Sequence, residues 1–230
     1  LPRDVHGDIE GIDLGAQSGG RIAVIRLGLL TSLAATLAFA QSSPRITYTK
    51  SFPGSDPAYV AVTVDRSGLV SYKETPEDDP DTFQLEPVFT DRVFALAGKL
   101  DHFKKPIESN LKNIANMGAK TFRWEDAGET AEAKFNFSTD QNAKDLWDFF
   151  EMVSASQRAF LELKRTVRHD KLGVWDALLK ITDLWTDQRL LGTPQFLPLF
   201  DRVAGDDTYV HLARQRAAEL AEAVRAWSGK

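Results

Sequence analysis

The sequence predicts an α+β protein in which N-terminal antiparallel hairpins pack on helices and a C-terminal array of short helices follows. Three observations carry that expectation. Apolar residues alternate with period two between residues 45 and 73 and again between 120 and 138, a long helical stripe follows over 141–167, and no strand pattern survives beyond Asp170. With 230 residues and 43% hydrophobic content, the chain carries enough apolar material for one ordinary core or two small ones.

The first forty residues stand apart. Residues 1–20 are polar and glycine-rich without either periodicity, and read as a leader or a gene-model extension. Arg21 and Arg26 precede an apolar stretch over 27–37 that ends in Ala38-Phe39-Ala40, so residues 21–40 have the order of a secretory signal peptide. The 14 residues from Leu27 to Ala40 fall short of the ~20 that a spanning helix needs, which makes a retained anchor the weaker reading. The expectation is a bacterial protein that is periplasmic or secreted, with no stable membrane insertion after cleavage. Its mature part divides into an α+β domain over 41–169 and a helical domain over 170–230.

Within the mature part, Ile46, Tyr48 and Lys50 alternate with Thr47, Thr49 and Ser51 before Phe52-Pro53-Gly54, a strand running into a turn. Val60, Val62 and Val64 share one face of a second strand, and Asp65-Arg66-Ser67-Gly68 reverses the chain into a third over 69–73. The acidic run over 74–81 is a loop, and 82–86 a short edge strand. Phe89, Val93, Leu96, Leu100 and Phe103 form one helical stripe that Pro106 stops. Phe122 and Trp124 face the same way as Phe135 and Phe137 across a turn at Asp126-Ala127-Gly128-Glu129. Ser138 with Gln141 matches a capping box, and Leu146, Phe149, Phe150, Val153, Phe160, Leu161 and Val167 supply the helix that covers those four aromatics. Residues 174–189 then read as an amphipathic helix. Thr193-Pro194 gives an N-cap with Pro at the first helical position, and Gly205 a stop. Asp206 or Asp207 caps a last helix with Leu212, Leu220, Val224 and Trp227.

Two resemblances attach to these segments. The stretch from Phe196 to Val224, FLPLFDRVAGDDTYVHLARQRAAELAEAV, resembles a HEAT repeat: Leu-Pro opens the first helix, Asp sits at the turn, and Ala213-Arg214 stands where the repeat usually has Val-Arg. The resemblance spans little more than one repeat, and implies a HEAT-like array that binds protein more than it catalyses. The stretch from Gly54 to Tyr72, GSDPAYVAVTVDRSGLVSY, is similar to a bacterial β-hairpin family of unknown function built around G-x-C-P-x-Y, with Asp56 in place of the Cys. It implies architecture only.

Composition narrows the function. A net charge of −5 disfavours nucleic acid as a partner, and the absence of Cys excludes thiol nucleophiles, disulfides and iron–sulfur ligation. His102, His169 and His211 show no metal-ligand spacing, and no cofactor is implied. Ser109-Asn110-Leu111-Lys112 satisfies S-x-x-K, but nothing supplies its companion elements. The run Glu77-Asp78-Asp79-Pro80-Asp81 reads as a solvated turn more readily than as a Ca²⁺ loop. Of the five tryptophans, which read mainly as packing residues, Trp175 and Trp227 sit near helix ends and are expected to be the most exposed.

What remains is an exported, non-catalytic interaction or scaffold protein with a protein partner in the cell envelope. Arg214 and His211 on the last helix, with Arg189 and Arg202 in the same array, are the candidate partner-binding residues. Two alternatives stay open. An exported hydrolase would assemble its site from Asp, Glu, Ser and His residues distant in sequence, and a deep polar cleft with His102 or His169 within hydrogen-bonding reach of a carboxylate would favour it. A small-ligand or lipid-binding domain would need an apolar cavity beneath Phe122, Trp124, Phe135 and Phe137.

Overall fold

The computed structural model describes residues 43–227; the leader and the export signal expected over 1–40 lie outside them. Strands β1 (Arg45–Ser51), β2 (Tyr59–Asp65), β3 (Leu69–Lys73) and β4 (Asp81–Gln84) run back and forth, and α1 (Pro87–Lys99) follows them. Then β5 (Ala119–Asp126) pairs with the other side of β1, and β6 (Glu129–Phe135) forms the far edge. The order is β4-β3-β2-β1-β5-β6 with every pairing antiparallel, so the first strand ends up inside the sheet. The rest of the described chain is helical: α2 (Gln141–His169), α3 (Val174–Thr186), a 3-10 turn (Thr193–Phe196), α4 (Leu197–Gly205) and α5 (His211–Ala226). The molecule is α+β.

Local chemistry explains the two tight reversals. Between β2 and β3, Asp65 Oδ1 accepts from the backbone N–H groups of Ser67 and Leu69, and Gly68 takes φ +86°. A Cβ there would lie 2.7 Å from the Gln84 amide and 2.8 Å from Thr90 Oγ1, so only glycine fits. Between β5 and β6, Ala127 (φ 45°) and Gly128 (φ 89°) are both left-handed, as a two-residue type I′ hairpin requires.

One face of the sheet is buried and the other meets water. Ile46, Tyr48, Val62, Val64, Val70, Tyr72, Phe122 and Phe135 point into a core closed by Val93, Leu96 and Ala97 of α1 and by Leu146, Phe149, Phe150 and Val153 of α2. On the other face Thr47, Thr49, Thr63 and Thr121 are half-buried, and the Thr47 and Thr63 hydroxyls bond across the strands at 2.9 Å. Antiparallel sheets tolerate such a solvated face. A second core begins within the same helix: Ala159, Leu163 and Val167 of α2 pack with Ile181 of α3, Phe200 of α4 and Leu220 of α5. The expected boundary at 169/170 falls at the end of α2, a helix whose fully buried residues join the first core as far as Val153 and the second from Ala159.

Polar ties hold the second core to the first. Buried Ser156 on α2 donates to Arg189 O and accepts from Leu191 N, and Glu86, at the head of α1, accepts from Gly192 N, Thr193 N and Thr193 Oγ1. No helix among the described residues is long and apolar enough to cross a membrane.

Several boundaries differ from the sequence reading. The first helix ends at Lys99, not at Phe103; Asp101, His102 and Phe103 turn left-handed, which still delivers Phe103 to the core. The edge strand spans Asp81–Gln84 instead of 82–86. Strand β6 stops at Phe135 because the Asn136 side chain bonds Ala115 O and Met117 N, leaving Phe137 outside the sheet. Asp140, not Ser138, caps α2, accepting from Asn142 N and Ala143 N. The third helix ends at Thr186 instead of Arg189, and Thr193-Pro194 opens a 3-10 turn that runs on into α4. Neither Asp206 nor Asp207 caps α5: its N-cap is Val210 and makes no side-chain bond, while Asp206 closes a turn onto Thr208. The buried stripe of α5 is Ala213, Ala217, Leu220, Ala221 and Val224, which turns Leu212 out to solvent.

Candidate functional site

Three of the four expected partner-binding residues gather at the α4–α5 connection. His211 is the exposed first residue of α5, and Arg214, one turn on, pairs with Asp207 at 2.7 Å and donates to Ala204 O at 3.4 Å. Arg202 is exposed on α4. Its charge adds a little to what holds the Asp206 carboxyl below its ordinary range, chiefly the bonds from Thr208. Arg189 does not join them. It follows α3 at the opposite end and bonds Asp148 of α2 at 2.8 Å, an interaction that raises the guanidinium pKa further.

The α4–α5 connection is fastened to the α2–α3 loop. Lys171 bonds the Thr208 hydroxyl, lies 4.0 Å from Asp206 and sits 5.2 Å above the Tyr209 ring. The Tyr209 hydroxyl donates to Val167 O at 3.1 Å. With both loops tied, three aliphatic side chains are left in water at one end of the helical layer: Leu172 is 84% exposed, Val210 55% and Leu212 60%. Single exposed apolar residues are ordinary, but a group of them beside a rim of largely paired charges is a candidate surface for association.

A second concentration of chemistry lies under the sheet. Lys50 of β1 and Lys120 of β5 are directly opposite one another, both at inward-facing positions. Lys50 Nζ bonds both Glu151 carboxylate oxygens at 3.0 Å; the Tyr48 hydroxyl donates to Glu151 at 2.8 Å and Trp147 Nε1 at 3.0 Å. Burial pushes the Glu151 carboxyl up, but these donors together outweigh it and hold the group below its ordinary range. The Tyr48 phenol is raised, by burial first and by Glu151 second. Lys120, only 1% exposed, donates to Met117 O at 2.9 Å, Gly118 O at 3.3 Å and Asn136 O at 2.9 Å, and lies 4.5 Å from the Trp147 ring. Burial, reinforced by Lys50, lowers its pKa to about 8.

An amine of that pKa is suited to base or Schiff-base chemistry when a substrate can reach it. Here all three ammonium protons already have carbonyl partners and the side chain is closed off. The arrangement fastens the start of β5 and the end of β6 to α2. Glu108 extends it, accepting from Asn136 N at 2.6 Å and Ser109 N at 2.9 Å; burial opposes ionisation, and these bonds prevail to lower its pKa.

The remaining sequence candidates are dispersed. The His102 ring lies 4.3 Å from that of Trp124, and His169 and His211 are exposed; among the described residues none of the three bonds a carboxylate. Ser109 and Lys112 lie in an irregular loop, not on a helix, so the spacing that would aim the Lys at the Ser is absent. Residues 77–80 are exposed between β3 and β4 and Asp81 is the half-buried first residue of β4, and among the described residues no group of His, Asp or Glu side chains is placed to hold a metal ion. Phe122 packs against Phe135, Phe103, Tyr48 and Phe150, with ring centroids 4.9 to 6.0 Å away, so its surroundings are filled by other rings. Trp227, expected to be exposed, is half-buried and stacks on Phe89 at 5.6 Å; Trp175 is also half-buried. No protein-family model, curated protein or solved structure matches the chain.

Proposed function

We propose that this is an exported, non-catalytic interaction protein that meets a protein partner in the periplasm or outside the cell through the loop end of its helices. On this reading the helical part is a HEAT-like array, and His211, Arg214 and Arg202 form the polar rim of the contact. The observation that carries it is the exposure of Leu172, Val210 and Leu212 on two loops tied together by Lys171 and Thr208. Burying such side chains supplies about 1.5–3 kcal/mol each before association costs, enough for a few anchors to dominate a contact.

The test compares the purified protein with its Val210→Asp/Leu212→Asp variant, each immobilised and incubated with native envelope and secreted extract. A discrete partner retained by the first and lost by the second, with circular dichroism unchanged, is expected. Equal capture by both would overturn the assignment. Sedimentation velocity resolves the remaining case: a dimer dissolved by the same substitutions would make the occupant a second copy of this chain and remove the envelope partner from the proposal.

A further inference from the structure

A groove of about 620 Å³ lies between α1, the end of α3 and the end of α5. Met152, Leu190 and Thr193 are its buried lining residues, and polar and apolar groups share the lining about equally. The stacked rings of Phe89 and Trp227 stand on one side, with planes only 14° apart, and Trp185 also lines it. All three rings are half-buried, presenting part of their surface to the groove. The volume matches that of small-molecule sites.

The groove also carries charge. Arg92, exposed on α1 and part of the lining, has no carboxylate within ion-pair distance among the described residues, although its neighbour Asp91 is paired with Arg66 at 3.0 Å. The carboxylate fastened to the lining residue Thr193, that of Glu86, is already accepting from three donors. At the rim, Gln188 takes φ 58°, a left-handed position after a helix where glycine is the favoured residue. A side chain with a donor and an acceptor therefore lines the groove at a position that strains its backbone.

We infer that this groove binds a small planar carboxylate, its ring system held by Phe89, Trp227 and Trp185 and its anionic group by Arg92. Aromatic walls favour a flat apolar body, and a guanidinium that no carboxylate among the described residues pairs favours a carboxylate that it can grip with two N–H groups. The site is separate from the loop end and does not depend on the function proposed above.

The probe is 2-naphthoate, with 2-naphthalenemethanol as its uncharged counterpart, titrated into ¹⁵N-labelled protein while the five indole N–H resonances are followed. Saturable shifts at Trp185 and Trp227, with Trp124, Trp147 and Trp175 unmoved, are expected. Arg92→Gln should weaken naphthoate at least tenfold and leave the alcohol unchanged, whereas Trp227→Ala should weaken both. Gln188→Gly should lower naphthoate affinity several-fold while thermal stability holds or rises, which separates binding from folding. Shifts spread over all five indoles, or equal losses for acid and alcohol in Arg92→Gln, would overturn the proposal.

Discussion

The cluster beneath the sheet and the loop end of the helices use charged side chains in opposite ways. Under the sheet, Lys50, Glu151, Tyr48, Trp147 and Lys120 satisfy one another and the nearby carbonyls, and a pKa displaced to about 8 accompanies a closed site. At the loop end, Lys171 and Arg214 fasten loops in the open, and what is left unsatisfied is apolar: Leu172, Val210 and Leu212 in water. A perturbed titration is the usual sign of a working site, yet here it accompanies burial and complete pairing. The surface proposed above for a partner is the one with ordinary chemistry and exposed aliphatic side chains.

Breaking the sheet cluster should therefore cost stability, and breaking the loop end should not. Glu151→Ala leaves Lys50, Tyr48 and Trp147 without their common acceptor, and about 3 kcal/mol of unfolding free energy is expected to be lost in urea titration. Glu151→Gln keeps an oxygen for Tyr48 and Trp147 but removes the charge facing Lys50, so about half that loss should remain.

The next effect appears with pH. Lys120 has a folded pKa of about 8 against an ordinary 10.5, so between these values the unfolded chain binds the extra proton and stability rises with pH. The gain from this group between pH 8 and 10 should be about 2 kcal/mol, and Lys120→Met should flatten it in pH-dependent urea midpoints. Above pH 10 the sign reverses, because burial raises the Tyr48 and Tyr72 phenols and the native state keeps protons that the unfolded chain releases. Smaller again is Asp140→Ala, which uncaps the helix both cores share and should cost about 1 kcal/mol by thermal melting. Smallest is Leu212→Asp at the loop end, expected to change stability by less than about 0.5 kcal/mol.

The same contrast explains what was legible in the sequence. Strands with alternating faces and turns with Gly68 or Ala127-Gly128 depend on neighbours in the chain, and they stand almost where their residues put them. The cluster joins a strand, a second strand seventy residues on and a helix further still, so its assembly depends on the order of the sheet. One signal was available: Lys50 and Lys120 continue the faces of Ile46 and Tyr48 and of Phe122 and Trp124, polar residues on apolar stripes. In α5 the large side chains misled. Leu212 matched a helical stripe, but the face that packs is made mostly of alanines, which allow α4 to approach closely. Helix ends were the least legible: two cap candidates stand close together at Ser138 and Asp140, and α5 starts after Val210, which makes no side-chain cap bond at all.

The most direct test of the account is crosslinking mass spectrometry of the tagged protein incubated with native envelope and secreted extract, using photoreactive side chains placed in turn at Leu172, at Leu212 and, as a control on the open sheet face, at Thr49. One reproducible partner, crosslinked from Leu172 and Leu212 and absent from Thr49, is expected. The same partner from all three positions, or a partner from Thr49 alone, would contradict it.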